Sequence, residues 1–360
     1  MAKTGQGVFR VPTQTLRSFA SDNYAGTAPQ ILEALAACNA GAAKPYGADD
    51  ASLRVTARLS EVFERAVEVL LVPTGTAANA LSLSLLTPPW GAVLCHPASH
   101  INTDECGAPE FYTNGAKLLA IGDGADAKID AALIQGAAQC KIGDVHAVQP
   151  SCVSITQATE VGSVYTPSEV AEIGAACRAS GLKLHMDGAR FANALVSLGC
   201  SPAEITWKAG VDALSFGTVK NGTMNADAVV LFDPGLAQEA GFRRKRAGHL
   251  ASKMRFVAAQ AEAYLADDLW LAHARHANAM AQRLEAGLRT VAGVEMTGGP
   301  TQANILFVKL APTLCAGLLA DGFAFYHDRW APGVVRLVTS FATAAADVEA
   351  FVAAARRLAA

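Results

Sequence analysis

The chain has 360 residues, 51 % of them hydrophobic, and a formal net charge of −3. That length accommodates two ordinary domains, or one large domain with an appendage, around a sizeable core. The weakly acidic balance argues against a nucleic-acid or anionic-membrane surface as the main business, and the basic cluster Arg243 to Arg246 reads as a solvated helix face.

The opening "MAKTGQGVFRVPTQT" lacks the apolar stretch of a signal peptide, and no run of about 18 apolar residues occurs. The 8 cysteines are scattered without a CxxC pair, so neither a zinc ribbon nor a redox motif is suggested. Several sit in apolar runs and read as small core residues in a reducing compartment, so a soluble cytoplasmic protein is expected.

Helix and strand signals alternate from residue 28 to about 232. "TAPQILEALAACNAG" offers Thr27 as a cap, Pro29 in the first turn and Gly41 as a stop. "AVEVLLVP" reads as a strand, "TAANALSLSLL" as a helix, and "GAVLCHP", "AKLLAIG" and "DVHAVQPSCVSITQA" as strands. "TPSEVAEIGAACRASG" opens with the reciprocal pair Thr166 and Glu169, and "SPAEITWKAG" repeats that pattern with Ser201 and Glu204. "LKLHM" is a strand, "RFANALVSLG" a helix, and "ALSFGT" and "DAVVLFD" are strands. Strands joined by helical crossovers predict an α/β fold, a mostly parallel sheet with helices on both faces. From about 236 to 290 the chain reads as alanine-rich helix, followed by strands "VEMTGG", "NILFVKL" and "VVRLVTSF" and a terminal helix. The expected division is an extension over 1–20, a large domain over 21–250, and a connecting helix with a smaller α+β domain over 251–360.

Three segments fall where a strand of an open parallel sheet leads into the next loop, the usual ligand position. In "VPTGTAANALS", Gly75 permits close backbone approach, Thr76 brings a hydroxyl, and the first helical turn supplies free N–H groups suited to a phosphate. In "KLHMDGARFANA", Asp187 ends an apolar strand and Arg190 follows; Asp187 is either a helix cap or a carboxylate holding something that is not protein. In "DALSFGTVKNGTMNADAVVLF", Lys220 stands between two strongly apolar strands, which is either ordinary exposure or function. Together, a phosphate site, a carboxylate for a ring nitrogen and a lysine amine are what pyridoxal phosphate requires. The lysine forms a Schiff base, and the carboxylate keeps the ring protonated so that it accepts the electron pair released at Cα.

From about Phe19 to the C-terminus the chain resembles the threonine aldolase family, within the aspartate-aminotransferase-like fold type I of pyridoxal phosphate enzymes. The pieces that carry the resemblance are "SDNY" with "PYGADD", "PTGTAAN", "ASHINTDECGAPEF", "HMDGARFANA", the lysine of "GTVKNG", "KMRF" and "VVRLVTSF". The resemblance implies Lys220 as the Schiff-base lysine, Asp187 as the ring-nitrogen partner, and Gly75 and Thr76 as phosphate ligands. Arg255, with Lys245, would reach the phosphate of a neighbouring subunit in a tetramer built from dimers with shared sites. His100 would stack on the ring, and Ser21, Arg190 and Arg336 would grip the substrate's α-carboxylate. An arginine inside a strand also suits a carboxylate on physical grounds, a core ion pair being the other explanation.

The implied reaction is cleavage of the Cα–Cβ bond of L-threonine, L-allo-threonine and related β-hydroxy-α-amino acids to glycine and an aldehyde. Two departures stand out. Where many members carry a histidine ahead of an Asn-Gly pair, "ITQATEVG" places Glu160. Either Glu160 accepts the hydroxyl proton, directly or through water, or it orders a water and His100 is the base; the reading favours His100. The run after the lysine, "NGTMNAD", replaces one usually rich in glycine and proline.

An aminotransferase or a β-eliminating lyase would reuse Lys220 and Asp187 but account less well for "DGAR" and the His100 segment. A nicotinamide-dependent dehydrogenase would need a GxGxxG turn that the early strands lack, and a non-catalytic relative would be expected to lose the lysine. No metal site is expected, and the His273/His276 pair reads as surface.

Overall fold

The computed structural model describes residues 16–359, so the signal-peptide reading and most of the 1–20 extension fall outside the described residues. The described residues begin with β1 (Arg17–Ser18), α1 (Pro29–Cys38), α2 (Asp50–Val62), β2 (Glu68–Val72) and α3 (Gly75–Leu86). It continues through β3 (Gly91–Cys95), α4 (His100–Thr103), α5 (Ala108–Tyr112), β4 (Lys117–Ala120), α6 (Ala131–Ala138), β5 (Gln149–Thr156) and α7 (Pro167–Ala179). β6 (Lys183–Gly188), α8 (Phe191–Leu198), β7 (Ala213–Phe216) and β8 (Asp227–Leu231) complete the first sheet. Three helices follow, α9 (Ala237–Arg246), α10 (Arg255–Leu265) and α11 (Leu269–Leu288). The remainder is β9 (Glu295–Met296), β10 (Ile305–Lys309), α12 (Pro312–Ala320), β11 (Phe323–Ala324), β12 (Tyr326–His327), β13 (Val334–Val338) and α13 (Ala345–Ala359).

The large sheet has 7 strands in the order β2-β8-β7-β6-β5-β3-β4, parallel except for β8, which runs antiparallel to both neighbours. Its strands are apolar on both faces, as helix-covered strands must be. Leu71, Val153, Leu214 and Val230 feed one core with α1, α2, α7 and α10, while Leu70, Cys152, Ala213 and Val229 feed another with α3. The smaller sheet, β12-β13-β10-β9, is antiparallel and packs α11, α12 and α13 over a third core centred on Phe351, Leu337 and Val308.

Several local expectations hold and others need correction. Thr166 and Glu169 form the reciprocal cap of α7. Thr27 does not cap α1; Ala28 stands at that position with no side-chain bond, and Asn39 ends the helix before Gly41. Ser201 and Glu204 exchange their two capping bonds, but the segment winds into turns and a single 3-10 turn at Trp207–Ala209. The helical stretch after 236 is three helices, and α10 buries Ala258, Ala261 and Tyr264 in the core of the large sheet. The pair His273/His276 is only partly surface: His273 stacks on Phe341 at 4.6 Å and bonds the Asn221 carbonyl. The basic cluster is not uniformly solvated either, since the Arg244 Nε is buried without a partner.

Candidate active site

Ends of β2, β6 and β7 converge, and Gly75, Thr76, His100, Asp187 and Lys220 line one cavity of about 450 Å³. A cavity of about 590 Å³ lined by Asp126, Lys128 and Glu169 also gathers an amine, acids and a helix start, but there Lys128 is already paired with Glu169 at 2.8 Å and Glu169 is committed to the cap of α7. At the cavity's floor Thr74 caps α3, its hydroxyl accepting from Ala77 N at 3.1 Å. That leaves the N–H groups of Gly75 and Thr76 as the unpaired donors every helix start carries, at the positive end of the helix dipole.

Asp187 is no helix cap. One carboxylate oxygen accepts from its own turn at Ala189 N, 3.0 Å away, and the other accepts from the Asn79 amide at 3.0 Å. Arg190 occupies the cap position of α8 without a side-chain bond to it. The carboxylate is 3 % exposed and set among cavity-lining residues, which is where a cationic ring nitrogen would satisfy it.

Lys220 is carried by a 3-10 turn, Val219–Asn221. Asp227 Oδ1 pins that turn by accepting from Thr218 N at 2.7 Å and Val219 N at 3.0 Å. Asn221 donates to the Tyr264 hydroxyl and the Trp270 carbonyl, and Gln260 accepts from Met224 N and Asn225 N. Side-chain bonds thus set the loop that the sequence leaves without its usual glycine-proline run. Only Gly222, at φ +130°, needs a backbone that other residues rarely adopt. Burial pushes the Asp227 carboxyl up from its ordinary value, which favours the neutral form of an acid lining the same cavity as the helix start.

The residues expected to grip a carboxylate come from distant segments and are not among the lining of this cavity. Ser21 caps the turn Asp22–Tyr24, Arg336 Nη2 reaches the Ala20 carbonyl at 3.5 Å, and Arg190 pairs with Asp22. The Arg336 guanidinium lies over Tyr326 and Trp330, at 5.4 and 5.2 Å from the ring centroids, with its Nε buried and unpartnered. Burial and then the neighbouring Arg190 push its pKa down. Glu160 has a buried, unpartnered Oε1 and acts electrostatically on His100, Arg190 and Arg336.

His100 bonds Glu105 through Nδ1 at 2.8 Å. That bond raises the imidazole's pKa; burial opposes it and Asp187 adds to it. Arg255 and Lys245 do not line this cavity: Arg255 bonds the carbonyls of Ala40 and Gly41, and Lys245 lies over Tyr46 at 4.7 Å. Sequence reading missed Asn79, Glu105, Asp22 and Asp227. All four lie inside quoted stretches, but only their partners across the fold mark them, and Asp227 reads along the chain as no more than the first residue of a strand.

Pyridoxal phosphate suits these residues. Free first-turn N–H groups match its phosphate, a buried acid its ring nitrogen and an amine its aldehyde, while the orphaned Nε of Arg336 calls for an anion beside it.

The comparisons agree with this geometry. A family described as "Beta-eliminating lyase" matches residues 18–311. A low specificity L-threonine aldolase of a Pseudomonas species is 45 % identical over 315 residues, 87 % of this chain and 90 % of that protein. Its counterpart from Pseudomonas aeruginosa is 45 % identical over 314 residues, with the same coverage. The solved Leishmania major threonine aldolase superposes with a TM-score of 0.88 at 33 % identity, covering 95 % of this chain and 99 % of that one, so the expected fold type I architecture is the observed one. The chain belongs to the β-eliminating lyase family, and within it to the low-specificity L-threonine aldolases.

Proposed function

We propose that this chain cleaves L-threonine, L-allo-threonine and related β-hydroxy-α-amino acids to glycine and an aldehyde, with pyridoxal phosphate held between Gly75, Asp187 and Lys220. The observation that carries this is the convergence of helix start, buried acid and lysine on one cavity. When bound, the cofactor supplies an aldehyde for amine exchange and a protonated ring that takes up the electron pair left at Cα.

The chain's own groups do the rest. Lys220 offers its amine from a turn pinned by Asp227, Asn221 and Gln260. Asp187, fixed by Asn79 and its own backbone, holds a proton on the ring nitrogen. Arg336, stiffened by two aromatic rings, binds the α-carboxylate with Ser21 and the remaining donor of Arg190. Fixing that carboxylate would set how the substrate's Cα is presented to the cofactor, so the grip would bear on the choice of reaction as well as of substrate. His100 accepts the β-hydroxyl proton at Nε2, and Glu160, facing both arginines and His100, orders a water.

Arg255 and Lys245, lying on an exposed surface beside Tyr46 and Gly41, suit a role in a neighbouring subunit's phosphate site, as in a tetramer of paired dimers. Eight free cysteines fit a reducing, cytoplasmic setting. Among the described residues no helix is long and apolar enough to cross a membrane. The test is incubation with L-threonine, L-allo-threonine and phenylserine, assaying glycine and aldehyde together. Equal amounts of both products, absent in Lys220→Ala, are expected; glycine without aldehyde would overturn the reading.

A further inference from the structure

Two buried side chains, Glu105 and Asn79, stand behind His100, and the reaction as described uses them only as scaffolding. Glu105 follows α4 and its side chain is 0 % exposed. Its Oε1 accepts from His100 Nδ1 at 2.8 Å and from Asn79 Nδ2, also at 2.8 Å. The same Asn79 nitrogen donates its second proton to Asp187 Oδ2 at 3.0 Å. Asn79 is 2 % exposed and its amide oxygen has no partner. Two acid acceptors flank one amide, so the NH2 end must face them both, which sets the amide's orientation by chemistry.

We propose that Asn79 and Glu105 form a buried bridge that holds His100 with its proton on Nδ1 and Nε2 free to accept, and that ties this base to Asp187. A carboxylate oxygen already receiving one N–H has nothing to donate, so the shared hydrogen lies on Nδ1. The other Glu105 oxygen is buried and unpartnered, so the acid depends on its two donors for compensation. His100 therefore gains basicity from the same contact that fixes its tautomer. Asn79 works the other way, drawing Glu105's charge toward itself and the Asp187 end. The groups facing the ring from other elements are Asp187 at the end of β6, Lys220 on its turn and Glu160 beyond β5, and none of them hydrogen-bonds it.

The inference rests on His100 as the proton acceptor, and the experiment separates the two claims. Holoenzyme labelled with 15N-histidine is titrated by NMR, and kcat/KM for L-threonine is followed over the same pH range. Glu105→Gln keeps the shape and removes the charge, and it should lower the His100 midpoint by about one to three units. The acid limb of kcat/KM should follow it downward while kcat falls. Asn79→Ala should move the midpoint the opposite way, because His100 becomes the only donor to Glu105. A purely structural role predicts no such opposed pair. An unmoved midpoint in Glu105→Gln, or a downward one in Asn79→Ala, overturns the bridge. Should Glu105→Gln not fold, the Asn79→Ala titration decides alone. A midpoint that moves while the acid limb stays in place leaves the bridge standing and removes His100 from the proton-accepting role.

Discussion

Asp22 and Arg190, 168 positions apart, meet through two hydrogen bonds of 2.8 and 3.1 Å with side chains only 2 % and 3 % exposed. Asn304, at the entry to β10, adds a third bond to Asp22 at 3.1 Å. One buried carboxylate thus joins the N-terminal segment, the large sheet and the small sheet. Burial alone would raise the Asp22 pKa, but Arg190 and then Lys220 hold it below the ordinary range. Asp22→Ala leaves a guanidinium buried without its counter-charge, at a cost of about 3–5 kcal/mol. Because the folded-state value is depressed, the pair's stabilisation is present above the unfolded carboxyl value and is lost as pH falls through the folded one. Denaturant melts at neutral and strongly acidic pH should show the wild-type advantage over Asp22→Ala shrinking in acid.

Since Asp22 takes two of Arg190's nitrogens, Arg336 is the less committed guanidinium of the pair. Losing a charge-assisted fork is worth about 3 kcal/mol, so Arg336→Ala should raise KM for L-threonine roughly a hundredfold. Arg336→Lys should recover little, because a point charge cannot reproduce the planar fork. Steady-state kinetics on both variants check this, and an unchanged KM places the carboxylate elsewhere.

His185 is fully buried two residues before Asp187, its ring nitrogens paired with the Ser154 and Ser215 hydroxyls at 2.9 and 3.0 Å. Burial pushes its pKa down from 6.5 to about 4. The unfolded chain therefore binds the extra proton between those values, and stability rises with pH across that window. Its share is full above 6.5 and lost by about 4, a swing of about 3 kcal/mol. His185→Gln should flatten this part of the stability-against-pH curve, measured by urea unfolding at steps from pH 7 to pH 4.

Gly174, in the middle of α7, lies against the Ala209–Gly210 backbone, and a Cβ there would collide with the Ala209 carbonyl oxygen. Gly174→Ala should destabilise the protein by about 1–3 kcal/mol despite the better helix propensity of alanine. A melting temperature at or above wild type would show that α7 can move away from that turn.

Strand–helix alternation, the apolar strands, and the positions of Gly75, Asp187 and Lys220 at strand ends are all readable along the chain. Each is a short-range pattern in which the neighbours in sequence supply the signal. The two alternatives for Asp187, helix cap or holder of a non-protein group, are also readable along the chain. Only the structure excludes the helix cap: Arg190 holds the cap position of α8, and Asn79, 108 residues away, bonds an Asp187 oxygen.

What no stretch of sequence discloses is the company a side chain keeps across the sheet. The order β2-β8-β7-β6-β5-β3-β4 brings the α3 amide to the β6 acid, and the packing of small sheet on large brings Asn304 to Asp22. Local residue types set helices, strands and the reactive groups at their ends, because backbone preference and apolar spacing act over a few residues. Which acid tunes which base or cation depends on distances of a few ångströms between far-separated segments, and those are settled only when the layers pack.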